Sequence, residues 1–179
     1  MVEHTLVVDQ LKLQYVGPFQ LSVLYRVMTE WAYGKGYAVL FPQDNEFTTP
    51  QGRQHKIKLV FAKAIIEEVQ LRIPITIYVI DAHPKDIVID GVSKTFDEAT
   101  VKMYWDGVVR TDRHSLWSGK PLLWFLNILR NKYLLKGYMT QAEEFVVHDL
   151  EQLYQHVKQY LNLTVQQKHR GVITPYWYP

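Results

Sequence analysis

The stretch VQLRIPITIYVI, residues 69–80, constrains this chain more than any other. Val69, Leu71, Ile73, Ile75, Ile77 and Val79 share one side of a two-residue alternation, and Gln70, Arg72, Thr76 and Tyr78 share the other. A helix repeats every ~3.6 residues and would scatter these residues around its circumference. The stretch therefore demands a strand with one dry face, and hence a sheet and something to cover it. Pro74 has no N–H to give to a ladder, so the pattern predicts an edge strand or a bulge at that point.

Other segments supply the partners. TLVVDQLKLQYV (5–16) alternates around Leu11, Leu13 and Tyr15, with Gly17-Pro18 expected to break the strand. KIKLVF alternates Ile57, Leu59 and Phe61 against Lys56 and Lys58, and ATVKMYW alternates Val101, Met103 and Trp105. DAHPKD reads as a turn before a short strand IVIDG, and Asp106-Gly107 as a hairpin turn leading into VVRT.

Helical spacing appears at both ends. Leu21, Leu24, Val27, Met28 and Trp31 form one apolar stripe that Gly34 and Gly36 end. PLLWFLNILRNKYLL, opened by Pro121 and stopped by Gly137, reads as a helix buried on a wide face. A final helix carries the seam Val146, Leu150, Leu153, Val157 and Leu161, with Glu143 and Glu144 expected in its first turn. The expected fold is α+β: a curved antiparallel sheet with one N-terminal and two C-terminal helices packed on it, and an extended C-terminal tail. Residues 1–163 form a single domain in this reading, and residues 164–179 an aromatic arm.

Composition narrows the function classes. With 179 residues and 47% hydrophobic content, the chain can bury a core without a disulfide or metal staple. It contains no cysteine, which excludes thiolate nucleophiles and zinc–cysteine sites. The net charge of +2 does not announce a nucleic-acid binder. No apolar run approaches the ~20 residues of a membrane span. No targeting segment is visible at the N-terminus, so a cytoplasmic location is the default expectation.

The element order resembles the helix-grip architecture, in which a sheet curls around a long C-terminal helix. The segments LYRVMTEWAYGKGY, LWSGKPLLWFLNILRNKYL and HDLEQLYQHVKQYLNL resemble those of a family of uncharacterised archaeal proteins over roughly residues 10–163. The matching residues are Trp31, Tyr37, Trp117, Gly119, Pro121, Phe125, Leu126, Tyr133, Asp149 and Leu163. The resemblance implies packing roles and no catalytic residue. The Gln-containing runs QQ and EQLYQ argue against a hyperthermophilic source.

Groups that could carry chemistry each have a plainer reading. Asp81, His83, Asp86 and Asp90 offer metal-type donors, but their spacing matches no established site and their residue types suit a turn. Asp112, Arg113, His114 and Ser115 hold the residue types of a triad, yet neighbours in sequence seldom face one another. Glu144, His148 and His156 lie on one helix without the H-E-x-x-H arrangement, and a solvated face accounts for them. The glycines of YGKGY lack the context of a phosphate-binding loop. No catalytic residue, metal or cofactor is assigned.

Three functional readings remain. The first is a non-enzymatic structural or interaction protein, a subunit of a homo-oligomer or larger assembly. Its docking arm would be Pro175, Tyr176, Trp177 and Tyr178, residue types that anchor interfaces, with the partner a second copy or another protein. The second is a small-molecule-binding domain or enzyme with a cavity between the sheet and the last helix, into which Tyr78 and Tyr104 would point. The third is a nucleic-acid or ribosome-associated protein. It would use the basic stretch Arg110, Arg113, Lys120, Arg130, Lys132 and Lys136 with interleaved aromatics. An acidic protein surface would suit the same cations, and no membrane partner is expected.

Overall fold

The computed structural model describes residues 2–50, 52–66, 69–89, 92–112 and 136–170. In chain order these form β1 (Val2–Phe19), α1 (Leu21–Gly34), β2 (Ala38–Thr49), β3 (Gly52–Ile66), β4 (Val69–Ile89), β5 (Val92–Asp112) and α2 (Lys136–Arg170). The five strands lie in the order β1-β5-β4-β3-β2, and every neighbouring pair is antiparallel. Helix α1 carries the chain from one edge strand to the other, and β2 to β5 then meander back to β1. The α+β class with an open antiparallel sheet is thus the fold that forms. The second C-terminal helix expected over residues 121–135 lies outside the described residues, as does the tail beyond Arg170.

Alternation built the dry face. Val69, Leu71, Ile73, Ile75, Ile77 and Val79 of β4 are all 0–2% exposed, and Leu59, Phe61, Val101, Met103 and Trp105 join them. Helix α2 lays its seam over this face: Val146, Leu150, Leu153, Val157 and Leu161 are buried against β1, β5 and β4. From α1, Leu24, Met28 and Ala32 enter the same core, while Leu21 and Trp31 pack at its margin. Gly36, at φ +78°, lets the chain leave α1 in a conformation other residues resist, and the Tyr37 N–H reaches back to the Ala32 carbonyl at 2.8 Å.

Several local expectations are corrected by the sheet. Pro74 stands in a central strand, not at an edge. The β4–β5 ladder passes from Arg72↔Val108 to Ile75↔Trp105, skipping Ile73 and Pro74 without changing register, so the missing donor falls in a gap. Opposite that gap, Asp106-Gly107 is no hairpin turn but the middle of β5. A Cβ on Gly107 would meet Val8 at 3.3 Å and Leu150 at 3.5 Å, so its bare backbone gives room to a bulge of β1 and to α2. The Asp106 carboxylate accepts the Gln10 N–H at 2.9 Å and holds the bulge.

DAHPKD likewise continues β4 through an irregularity between Ile80 and His83, with Asp81 at φ +55°. Gly17-Pro18 does not break β1. Tyr15 folds over Gly17 and donates its hydroxyl to the Pro18 carbonyl at 2.7 Å, and β1 is an edge strand, where proline costs no inner ladder bond. Helix α2 begins at Lys136, so Glu143 and Glu144 fall beyond its first turn. It also runs on through residues 164–170, which the sequence reading assigned to the arm.

Candidate functional site

Both described helices pack on one face of the sheet, and the residues alternating with the core build the other face. Two adjacent rows cross it through all five strands. The first is Gln14–Lys102–Tyr78–Lys56–Asn45, and the second is Lys12–Tyr104–Thr76–Lys58–Gln43. Together they hold four lysines, two tyrosines and no carboxylate. Lys12 and Lys58 are exposed, while Tyr78, Tyr104, Lys56 and Lys102 are half-buried.

The tyrosines meet edge to face. Their ring centroids are 5.9 Å apart at an interplanar angle of 87°, a favoured aromatic geometry. Each ring also carries an ammonium: Lys56 Nζ lies 5.3 Å from the Tyr78 centroid and Lys12 Nζ 6.0 Å from that of Tyr104. Among the described residues none of the four lysines has a carboxylate partner, whereas Arg53 and Lys85 pair with Asp97 at 3.3 Å and Glu98 at 2.6 Å. Two rows further on, past the row of Pro74 and Asp106, Arg72 bonds Gln70 at 2.9 Å. Burial, and then the charge of Arg110, lower its pKa, so positive charge crowds this end of the face.

A second constellation lies where α1 meets α2. Trp31 stacks on Tyr37 at 5.8 Å, and the Tyr37 hydroxyl donates to Asp149 at 2.8 Å, with Lys35 Nζ 4.0 Å from the same carboxylate. Burial, reinforced by the bond to Asp149, drives the Tyr37 phenol well above its usual range. Beside it, an open cleft of about 380 Å³ is lined by Trp31, His148, Glu151, Gln152, Gln155, His156 and Gln159. Burial lowers the His156 pKa, with Glu30 opposing. The buried Asp149 is satisfied by the groups that dock the helix, which makes this corner a clamp between elements.

The sequence-derived candidates separate clearly against this geometry. Tyr78 and Tyr104 do come together, but on the face away from α2, because each alternates with a core residue; they do not line a sheet–helix cavity. The sheet–helix interface is instead filled by buried side chains, among them Trp105, which meets Tyr154 at 5.6 Å. Of the basic stretch, Arg110 is described and shares the open face with Arg72 through the register Gln70↔Arg110. Arg113, Lys120, Arg130 and Lys132 lie outside the described residues, and Lys136 opens α2 with its side chain undescribed. Pro175, Tyr176, Trp177 and Tyr178 also lie outside them.

Asp81, His83 and Asp86 stand in β4 and not in the expected turn, and Asp112 ends β5. Asp86 accepts the Thr95 hydroxyl at 2.7 Å, and Asp90 and residues 113–115 lie outside the described residues. Among the described residues no three potential metal donors converge. Glu144 and His148 are exposed on α2, with His148 next to Gln152 at 2.8 Å. No described helix is long and apolar enough to cross a membrane.

Lys12, Lys56, Lys58 and Lys102 were missed as a group. Each sits at a polar position of an alternating stretch, but no local signal says that three strands will set them in two neighbouring rows. No protein-family model matches the chain, and no curated protein matches it in sequence.

Proposed function

We propose that this protein is a binding protein whose sheet face opposite the two described helices holds a polyanionic chain. The observation that carries the reading is the pair of rows with four lysines and no carboxylate across five strands. A net charge of only +2 becomes consequential when cations are gathered on one face, since local field and not total charge guides an anionic chain to a surface. The support comes from lysines of β1, β3 and β5, with Arg110 the one described contributor from the basic stretch. Assembly through the aromatic arm has no described residue to stand on and forms no part of this reading.

Fluorescence anisotropy with a labelled single-stranded oligonucleotide across a salt series tests it. Each phosphate neutralised adds about 0.7 to the slope of log K against log salt for a single strand. We expect a slope of ~2 to 3 from this face, falling by roughly half in Lys12→Gln/Lys58→Gln. Binding without salt dependence, or a double variant that matches the parent, would sink the reading.

A further inference from the structure

We propose that the polyanion is single-stranded nucleic acid, with Tyr78 and Tyr104 as base-stacking platforms that Lys56 and Lys12 occupy until the strand arrives. The inference rests on the polyanion reading and goes beyond it, because lysines alone would serve any chain of phosphates. The tyrosines are what a bare phosphate chain leaves unused.

Both rings lie on the open face, half-buried at their base and fixed against each other at 87°. Each has one ring face turned to an ammonium at 5.3 or 6.0 Å. A cation over an exposed ring is weakly held, since water competes for the ammonium. A base offers the ring a larger apolar contact, and a phosphate offers the displaced lysine a full charge. One strand supplies both at once, so at each tyrosine displacement trades one weak contact for two stronger ones.

A duplex keeps its bases stacked inside, where these rings cannot reach. The two rows lie on the sheet's own surface, with strands ~4.8 Å apart and rows ~6.7 Å apart, and they project no element into a groove. A flat platform of aromatics among cations suits an extended strand with splayed bases. Thr76, Gln14, Asn45 and Gln43 complete the rows with uncharged hydrogen-bonding groups, so the tracked backbone meets no repelling carboxylate there.

The test compares three probes on the full chain: a short single-stranded oligonucleotide, the same sequence as a duplex, and inorganic polyphosphate. Each is titrated over several salt concentrations. The single strand should bind most tightly. Tyr78→Leu/Tyr104→Leu should weaken the single strand roughly tenfold or more while leaving its salt slope and polyphosphate binding unchanged. Tyr78→Phe/Tyr104→Phe, which keeps both rings, should bind like the parent and covers the case in which leucine disturbs the sheet.

Equal affinity for polyphosphate and oligonucleotide, with no effect of either tyrosine pair, would overturn this inference and leave the polyanion reading intact. A duplex bound more tightly than the single strand would overturn it too. Loss of binding in the phenylalanine variant would show that the hydroxyls, not the ring faces, recognise the ligand. No binding to any probe at low salt would remove both readings.

Discussion

The two faces of this sheet are written by the same strands and have opposite characters. On β4, Ile75 and Ile77 are buried under α2, while Thr76 and Tyr78 stand between lysines on the far side. On β5, Trp105 is buried and Tyr104, its neighbour in sequence, faces Lys12. The dry face gains from volume and close contact, so its buried residues are mainly apolar; Thr29 and Thr111 are buried among them, and the buried Asp149 is held by Tyr37. The open face gains nothing from filling space. Its two central rows hold four lysines, three amides, Thr76 and two rings, with the Asp106 carboxylate in the row beside them. Because side chains alternate, a substitution on one face should leave the other almost untouched.

The largest effect is expected at the buried face. Trp105→Ala should cost about 3–5 kcal/mol in urea denaturation, since the indole is fully buried against Tyr154. A loss below about 1 kcal/mol would mean that the dry face is not the close-packed layer described.

Tyr37→Phe comes next. It leaves the Asp149 carboxylate buried without its hydroxyl donor, a loss of about 1–3 kcal/mol. The same residue sets an alkaline limit. Burial and the Asp149 bond raise the Tyr37 phenol, and burial with the negative charge of Tyr160 and Glu98 raises that of Tyr15. A raised folded-state value means that the stabilisation is complete below the unfolded tyrosine value of about 10 and is lost as pH rises beyond it. Melting temperature followed from neutral to alkaline pH should fall above that point, and less steeply in Tyr37→Phe. Parallel curves would show that the phenol is not held as described.

The smallest effect on stability belongs to the open face. Lys58→Gln should stay within about 0.5 kcal/mol of the parent, even as it weakens polyanion binding. If it destabilised the fold as Trp105→Ala does, the two faces would not be independent and the comparison would fail.

Much of the scaffold was legible beforehand. The six alternating apolar residues of β4 and the five-residue seam of α2 are buried as their periods required. Those signals are local and redundant, so a single exception cannot hide them. Trp31, Tyr37 and Asp149 also meet in one corner. The errors fell on Gly17-Pro18, Asp106-Gly107 and DAHPKD, where residues with strong turn preferences sit within strands. Neighbouring strands and α2 use those positions for bulges and close approach, and tertiary packing overrides the local preference.

The candidate site was the least legible part. Tyr78 and Tyr104 were singled out but aimed at the wrong face, and the four lysines around them were not connected at all. Periodicity alone determined that this chain makes a sheet with one dry face and a long helix to cover it. Only the tertiary structure decided which polar residues stand together, because strand order and register bring Lys12, Lys56 and Lys102 to one surface from three separate stretches of chain. Alternation tells each residue which way to face; it cannot tell it who its neighbours will be.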